Sequence, residues 1–234
     1  MRRVLRFGQV AILVAFFTGI LAVSEIRAQG PLGQILNRMD THYKALSSLQ
    51  ADLTMVKADP NLGAGGVDTV SGNINYLPKT AKRPMYVRLN WTKPSEEWMV
   101  VIGETFMTFR PRINEGYTGK ADKTTKNNKA GGALAFISMS KEQLKANYDI
   151  LFVAQEQISG GTETWHLQLT PKTPQSYKLA EMWVDGDGMP RQFKVTEKNN
   201  DTSTFLLTNL KKNLTINGNI FHLDIPKGAK MSKV

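Results

Sequence analysis

The chain has 234 residues, no cysteine, 41% hydrophobic and 21% charged residues, and a formal net charge of +10. This is globular composition with a basic tilt, and the missing thiols exclude disulfide scaffolds, thiolate zinc sites, iron–sulfur clusters and cysteine nucleophiles. With 19 Gly and 10 Pro the chain is neither fibrous nor disordered, and one substantial core is expected.

Arg2, Arg3 and Arg6 precede an apolar run over residues 10–23, and Ala28 follows a short polar stretch. A basic start, an apolar stretch and a small residue at the cut make a secretory signal peptide over residues 1–28. As a helix the apolar run would span about 21 Å at ~1.5 Å per residue, short of the ~30 Å hydrocarbon core of a bilayer. Cleavage removes four Arg and one Glu and leaves a single domain over residues 29–234 with a charge of +7. No second apolar stretch approaches membrane-spanning length, so a soluble exported protein held by packing alone is expected.

After Pro31, which suits a first helical turn, Leu32, Ile35, Leu36, Met39, Tyr43, Leu46 and Leu49 recur every three or four residues. This spacing predicts an amphipathic helix over 32–49. Short runs rich in β-branched and aromatic residues then predict strands over 50–58, 69–76, 85–91, 97–102 and 105–110, separated by glycine-bearing turns. Residues 114–132, with Lys120, Lys123, Lys126 and Lys129, read as an exposed loop. Residues 133–139 are nearly all apolar, and Ser140-Lys141-Glu142-Gln143 fits a capping box opening a second helix. A lid and an ordinary buried helix would look alike there.

Further strands are expected over 150–158, 163–170, 178–184, 191–197, 202–210 and 219–225. Their Gly160-Gly161 and Asp185-Gly186-Asp187-Gly188 connections suit hairpins, whose turns need positive φ. About eleven strands with two or three helices make an antiparallel α+β fold. Trp165-His166-Leu167-Gln168-Leu169 alternates, the pattern of a sheet with one wet side. Trp98-Met99-Val100-Val101-Ile102 and Phe106-Met107-Thr108-Phe109 are apolar on both faces, so both must be covered.

His42, His166 and His222 stand singly, and no nucleophile elbow, zinc-protease motif, P-loop or dinucleotide fingerprint occurs. The Asp185–Gly188 turn fails as a calcium loop, since Pro190 stands where the loop glycine belongs. Glu96, Glu97, Glu104 and Glu115 single out no carboxylate pair for glycoside hydrolysis. The lysines are dispersed without interleaved aromatics, so nucleic acid is not an expected partner.

The order of these pieces resembles the periplasmic outer-membrane lipoprotein carrier family, LolA. The matching residues are Ile35-Leu36 through Tyr43 to Leu46-Ser47-Ser48-Leu49-Gln50-Ala51-Asp52-Leu53, Ser71-Gly72-Asn73-Ile74, Lys82-Arg83-Pro84 and Leu89-Asn90-Trp91-Thr92-Lys93-Pro94. Val101-Ile102-Gly103-Glu104-Thr105, Phe109-Arg110-Pro111, Leu167-Gln168-Leu169-Thr170-Pro171-Lys172 and Phe221-His222-Leu223-Asp224-Ile225-Pro226-Lys227-Gly228 continue the match. The resemblance implies a strongly curved antiparallel sheet, an incomplete β-barrel, with helices covering the concave face as a lid. It implies a periplasmic chaperone that binds lipoprotein acyl chains in an apolar cavity and carries them between membranes, without catalysis or cofactor. Its implied partners are acylated lipoproteins, an inner-membrane releasing transporter and an outer-membrane receptor, met by a monomer. It also implies an arginine that helps hold the lid shut, at Arg83 by the Lys-Arg-Pro motif, or at Arg88, since Arg83 stands eleven residues after Gly72, longer than the family interval, and Pro78-Lys79 occupies the place expected by counting.

A cavity for hydrocarbon needs pliable apolar walls, and methionine adapts to irregular ligands. The wall is expected from Met85, Leu89, Trp91, Trp98, Val100, Phe106 and Met107, with Leu36, Met39, Leu134, Phe136 and Ile137 from the helices. The same residues would equally make a filled core. A carrier or sensor of another amphiphile, such as a glycolipid or polyprenyl lipid, is the alternative on this fold, and a hydrolase with a cleft is the third reading.

Overall fold

The computed structural model describes residues 30–120 and 137–234. The leader, the lysines at 123, 126 and 129, and the wall candidates Leu134 and Phe136 lie outside these residues.

Helix α1 (Pro31–Ala45) opens on its proline and buries Ile35, Leu36 and Met39. It stops short of the predicted 49 because Leu46 turns extended and Ser47 donates its backbone N–H to Asn213 Oδ1 at 2.7 Å. Leu49 instead begins strand β1 (Leu49–Ala58), where Leu49, Ala51, Leu53 and Met55 alternate inward. Strands β2 (Val67–Leu77), β3 (Tyr86–Lys93), β4 (Glu97–Ile102), β5 (Thr105–Arg110) and β6 (Glu115–Lys120) follow as a meander. Helix α2 (Lys141–Asn147) starts on the expected capping box, Ser140 with Gln143. A second meander consists of β7 (Tyr148–Ile158), β8 (Thr162–Pro171), β9 (Tyr177–Asp185), β10 (Pro190–Glu197) and β11 (Thr202–Lys212). The short β12 (Lys230–Lys233) ends the order.

All twelve strands join one curved, unclosed sheet, in the order β12-β6-β5-β4-β3-β2-β1-β11-β10-β9-β8-β7. β1 pairs with both β2 and β11, and so welds the two meanders together. Every pairing is antiparallel except β12 with β6. The edge strand β7 is broken by a register shift between Phe152 and Ala154.

The fold corrects the sequence reading in three places. Residues 115–120, expected in a loop, form β6, because the whole of β5 offers them a partner despite their two glycines. Gly116 is needed there, since a Cβ would come within 2.7 Å of Met231 Sδ and 2.4 Å of the Thr108 carbonyl oxygen. Residues 219–225 do not make a strand. Their alternating apolar residues lay Phe221 and Leu223 against the outer face of β3–β5, and a short 3₁₀ turn covers Gly218–Phe221. Arg88 Nη1 donates to the carbonyls of Ile220 at 2.6 Å and His222 at 3.1 Å, which a ladder would otherwise have used. β12 carries almost no apolar pattern and forms because the preceding strap delivers it to the free side of β6.

The inner face carries one apolar cluster from strand to strand, from Phe106 on β5 through Leu89, Ile74 and Leu53 to Phe205, Phe193, Met182 and Leu167. The outer face of β8–β10 carries polar groups, with Glu181 between His166 Nε2 at 3.1 Å and its ion-pair partner Lys194 Nζ at 3.0 Å. The two-sided burial expected for β4 and β5 is met by this core on one side and the C-terminal strap on the other.

α1 sits against the β9–β10 turn with almost no clearance. Gly188 has φ +87°, and a Cβ there would lie 2.4 Å from the carbonyl carbon and oxygen of Arg38. Gly188→Ala is expected to cost about 1–3 kcal/mol through strained backbone and a displaced helix. Gly186→Ala, with open space around its Cβ, is expected to be nearly silent. Urea denaturation of the two variants checks the difference.

Candidate functional site

The candidate site is the concave face and the helices over it. Ile35, Leu36 and Met39 of α1, Ile137, and Leu144 of α2 pack into one cluster with the inner-face strand residues, each at most 6% exposed. Five buried methionines, Met39, Met55, Met99, Met182 and Met189, belong to this cluster. The face is thus closed in this state by its own pliable side chains.

Among the sequence-predicted wall residues, Leu36, Met39, Leu89, Trp91, Phe106 and Ile137 lie in this cluster, and Met85 packs against it partly buried. Trp98, Val100 and Met107 lie on the opposite face, with Phe109, Phe221 and Leu223. Strand residues alternate sides, so Phe106 and Met107 never shared a wall. β4 and β5 are apolar on both faces, so hydrophobicity did not reveal which parity points inward. The sequence reading missed the wall contributed by β1 and by β8–β11, including Met55, Leu167, Met182, Phe193 and Phe205. The signal was present in the alternation of β1 and β8, but it tells a half-buried strand and not that two meanders curve round one space.

The helical cover is also fastened by polar contacts, at the middle of α1 and just beyond its C-terminus. Arg38 Nη1 donates to the Gly186 carbonyl at 2.9 Å, and its guanidinium lies 5.1 Å from the Trp165 ring centre. Lys141 Nζ donates to Asn37 Oδ1 at 2.8 Å, tying α2 to α1. Beyond α1, Ser48 Oγ donates to the Leu214 carbonyl at 2.6 Å. Arg83 Nη2 donates to the Ser47 carbonyl at 3.3 Å, so of the two arginines Arg83 meets the end of α1 while Arg88 holds the outer strap.

This fastening is incomplete. Asp40 Oδ1, His42 Nε2 and Arg83 Nε are buried without a partner among the described residues. Such atoms typically cost about 1–3 kcal/mol each, so the closed cover is held below its full possible strength. Burial, then the nearby Lys212 cation, pushes the His42 imidazole below its ordinary value, against opposing attraction from Asp185 and Asp187. Asp187 in turn is held low by Lys212, whose Nζ lies 3.1 Å from Asp187 Oδ2.

A polar corner interrupts the inner face where β3, β4 and β5 run side by side. Glu97, 7% exposed and opposite Trp91 in the ladder, accepts from Arg110 Nε at 2.7 Å. That bond, working against desolvation, raises the Arg110 pKa further. The Arg110 guanidinium also lies 5.8 Å from the Tyr117 ring centre. Across the face, the Tyr148 and Tyr177 hydroxyls meet at 2.5 Å, and burial raises the pKa of both.

A cleft of about 820 Å³ opens beside the β3–β4 turn, lined by Thr92, Pro94, Ser95, Glu96, Pro111 and Arg112. It holds one carboxylate, not the pair a glycosidase uses. Among the described residues no group of three His, Asp or Glu is placed to hold a metal ion, and no helix is long and apolar enough to cross a membrane.

An unclosed, curved antiparallel sheet with helices over an apolar inner face defines a half-barrel class built around a sheltered hydrophobic surface. The family described as Outer membrane lipoprotein carrier protein LolA matches residues 79–224, and the chain belongs to that family. It is 26% identical over 215 residues to an outer-membrane lipoprotein carrier protein of Actinobacillus succinogenes, covering 91% of this chain and 92% of the relative. It is 27% identical over 194 residues to the protein of that name in Pasteurella multocida, covering 80% of this chain and 86% of the relative. A solved structure of an uncharacterized conserved protein from Thermus thermophilus shares the fold, with TM-score 0.54, 11% identity, and coverage of 88% of this chain and all of that one.

The depressed His42 value has a consequence for stability. The unfolded chain takes up a proton near the ordinary value of 6.5, while the folded chain does so only at lower pH. Stability is therefore full above about pH 6.5 and declines as pH falls below it, because the unfolded state binds more protons there. Urea midpoints of the wild type and His42→Gln between pH 5 and 8 are expected to diverge, with the variant showing the flatter profile.

Proposed function

We propose that this protein is a non-catalytic carrier in the periplasm that shelters the acyl chains of lipoproteins on its concave face. It takes them from an inner-membrane releasing transporter towards the outer membrane. The observation that carries this reading is the broad apolar inner face lying under a short helix that is held by three buried apolar residues and a few polar contacts at its middle and beyond its C-terminus. Family membership and the names of the two relatives support the cargo class.

The magnitudes favour an exchange between cover and cargo. Burying Ile35, Leu36 and Met39 is worth about 1.5–3 kcal/mol each, or roughly 5–9 kcal/mol together. An acyl chain of some sixteen carbons costs on the order of 10 kcal/mol to expose at ~0.8 kcal/mol per CH₂. One chain taking the place of α1 on the inner face therefore repays its unseating with a small surplus. Affinity stays moderate, so release needs no chemical step.

Arg83 is the latch in this reading, since its guanidinium reaches the backbone just past α1. Mass spectrometry of the protein recovered from the periplasmic fraction is expected to show acylated peptides. Free glycolipid or polyprenyl lipid would point to another amphiphile instead, and protein empty under every condition would overturn the carrier. Arg83→Leu is expected to fold normally yet impair handover of a test lipoprotein to acceptor membranes. Unchanged handover would remove Arg83 from the latch.

A further inference from the structure

Trp91 presents a buried donor with nothing to bond. Its side chain belongs to the inner-face cluster, the residue is 2% exposed, and its Nε1 is buried without an acceptor among the described residues. An indole N–H can only donate, and a buried donor left unpaired is uncommon in a folded protein. Two other tryptophans, on the outer face, behave differently: Trp98 Nε1 donates to Glu96 Oε1 at 3.0 Å and Trp183 Nε1 to Glu156 Oε1 at 2.6 Å. The carboxylate nearest in the ladder to Trp91 is Glu97, directly opposite, and it bonds Arg110 at 2.7 Å.

We propose that the Trp91 Nε1–H donates to a carbonyl oxygen of the acyl ester or amide linkage that joins the cargo's hydrocarbon chains to its head. This deepens the carrier reading and rests on it. An ionised acceptor is a poor match, because the Glu97 carboxylate opposite Trp91 would repel it and the nearby Arg110 cation already has that carboxylate. A neutral carbonyl is the acceptor that an otherwise apolar ligand brings with it. The position also fits the ligand's polarity. Trp91 is the last buried residue before exposed Thr92 and Lys93, and the half-exposed Arg110 lies in the same corner. Hydrocarbon would extend from this row towards Leu89 and Ile74, with the polar head directed to the rim.

The test compares binding of dipalmitoylglycerol with that of its dihexadecyl diether, in which the ester carbonyls are absent, to the wild type and Trp91→Phe. A hydrogen bond of ordinary strength gives the wild type about a five-fold preference for the ester. Trp91→Phe is expected to hold both lipids equally, at the wild-type affinity for the diether. A retained preference in the variant, or none in the wild type, overturns the assignment. If the wild type binds neither lipid, the carrier reading falls and this assignment falls with it. Should Trp91→Phe not fold, the indole ¹H–¹⁵N resonance of Trp91 in the wild type decides. Expected is a downfield move with the ester and not with the diether, and a resonance indifferent to both overturns the assignment.

Discussion

A twelve-stranded sheet with one broad apolar face must keep that face from water, and the rest of the molecule follows from how it does so. Apolar burial is worth roughly 25 cal/mol per Å², so even a partial exposure would consume the few kcal/mol of net stability typical of a domain. Curving the sheet lets strands far apart in order, such as β5 and β8, share one core. The described helices are short for so wide a face, fifteen residues in α1 and seven in α2. Methionine-rich packing under so little cover is the feature on which the proposed exchange with cargo rests.

The molecule has two covers, and they are bonded differently. Over the outer face of β3–β5 the C-terminal strap is locked by a guanidinium that takes two backbone carbonyls, an arrangement of charge-assisted bonds. Over the inner face α1 rests on apolar contacts and a few longer or solvent-touched polar ones, with acceptors and donors around His42, Asp40 and Arg83 unmatched. One cover is thus bonded more completely than the other.

Much of this was legible in the residues. The three- and four-residue spacing located α1, the Ser140–Gln143 box located α2, and ten of the eleven expected strands occur within a few residues of their predicted bounds. What escaped the sequence was whatever depends on a partner. The stretch around Gly116 has no strand propensity of its own and becomes β6 because β5 is beside it. Phe221 and Leu223 have strand spacing yet meet a sheet face rather than an edge. The inward parity of β4 and β5 is invisible when both parities are apolar, which is why Trp98, Val100 and Met107 were assigned to the wrong wall. The candidate latch shows the same limit, since the motif suggests Arg83 while its long interval from Gly72 leaves Arg88 open, and only the tertiary contacts show where each one reaches.

The seam between β1 and β11 sets the order in which the molecule can assemble. Leu53 faces Leu207 across it, and Ser47 beside the first strand is held by Asn213 after the eleventh. Each meander is local and can zip up early, but the contact joining them waits for nearly the last residue to arrive. Until then two half-sheets, each with bare grease on one side, coexist in a single nascent chain. A vectorially delivered polypeptide of this design passes through a sticky adolescence, in which its own unfinished hollow resembles the hydrophobic cargo it is destined to hide.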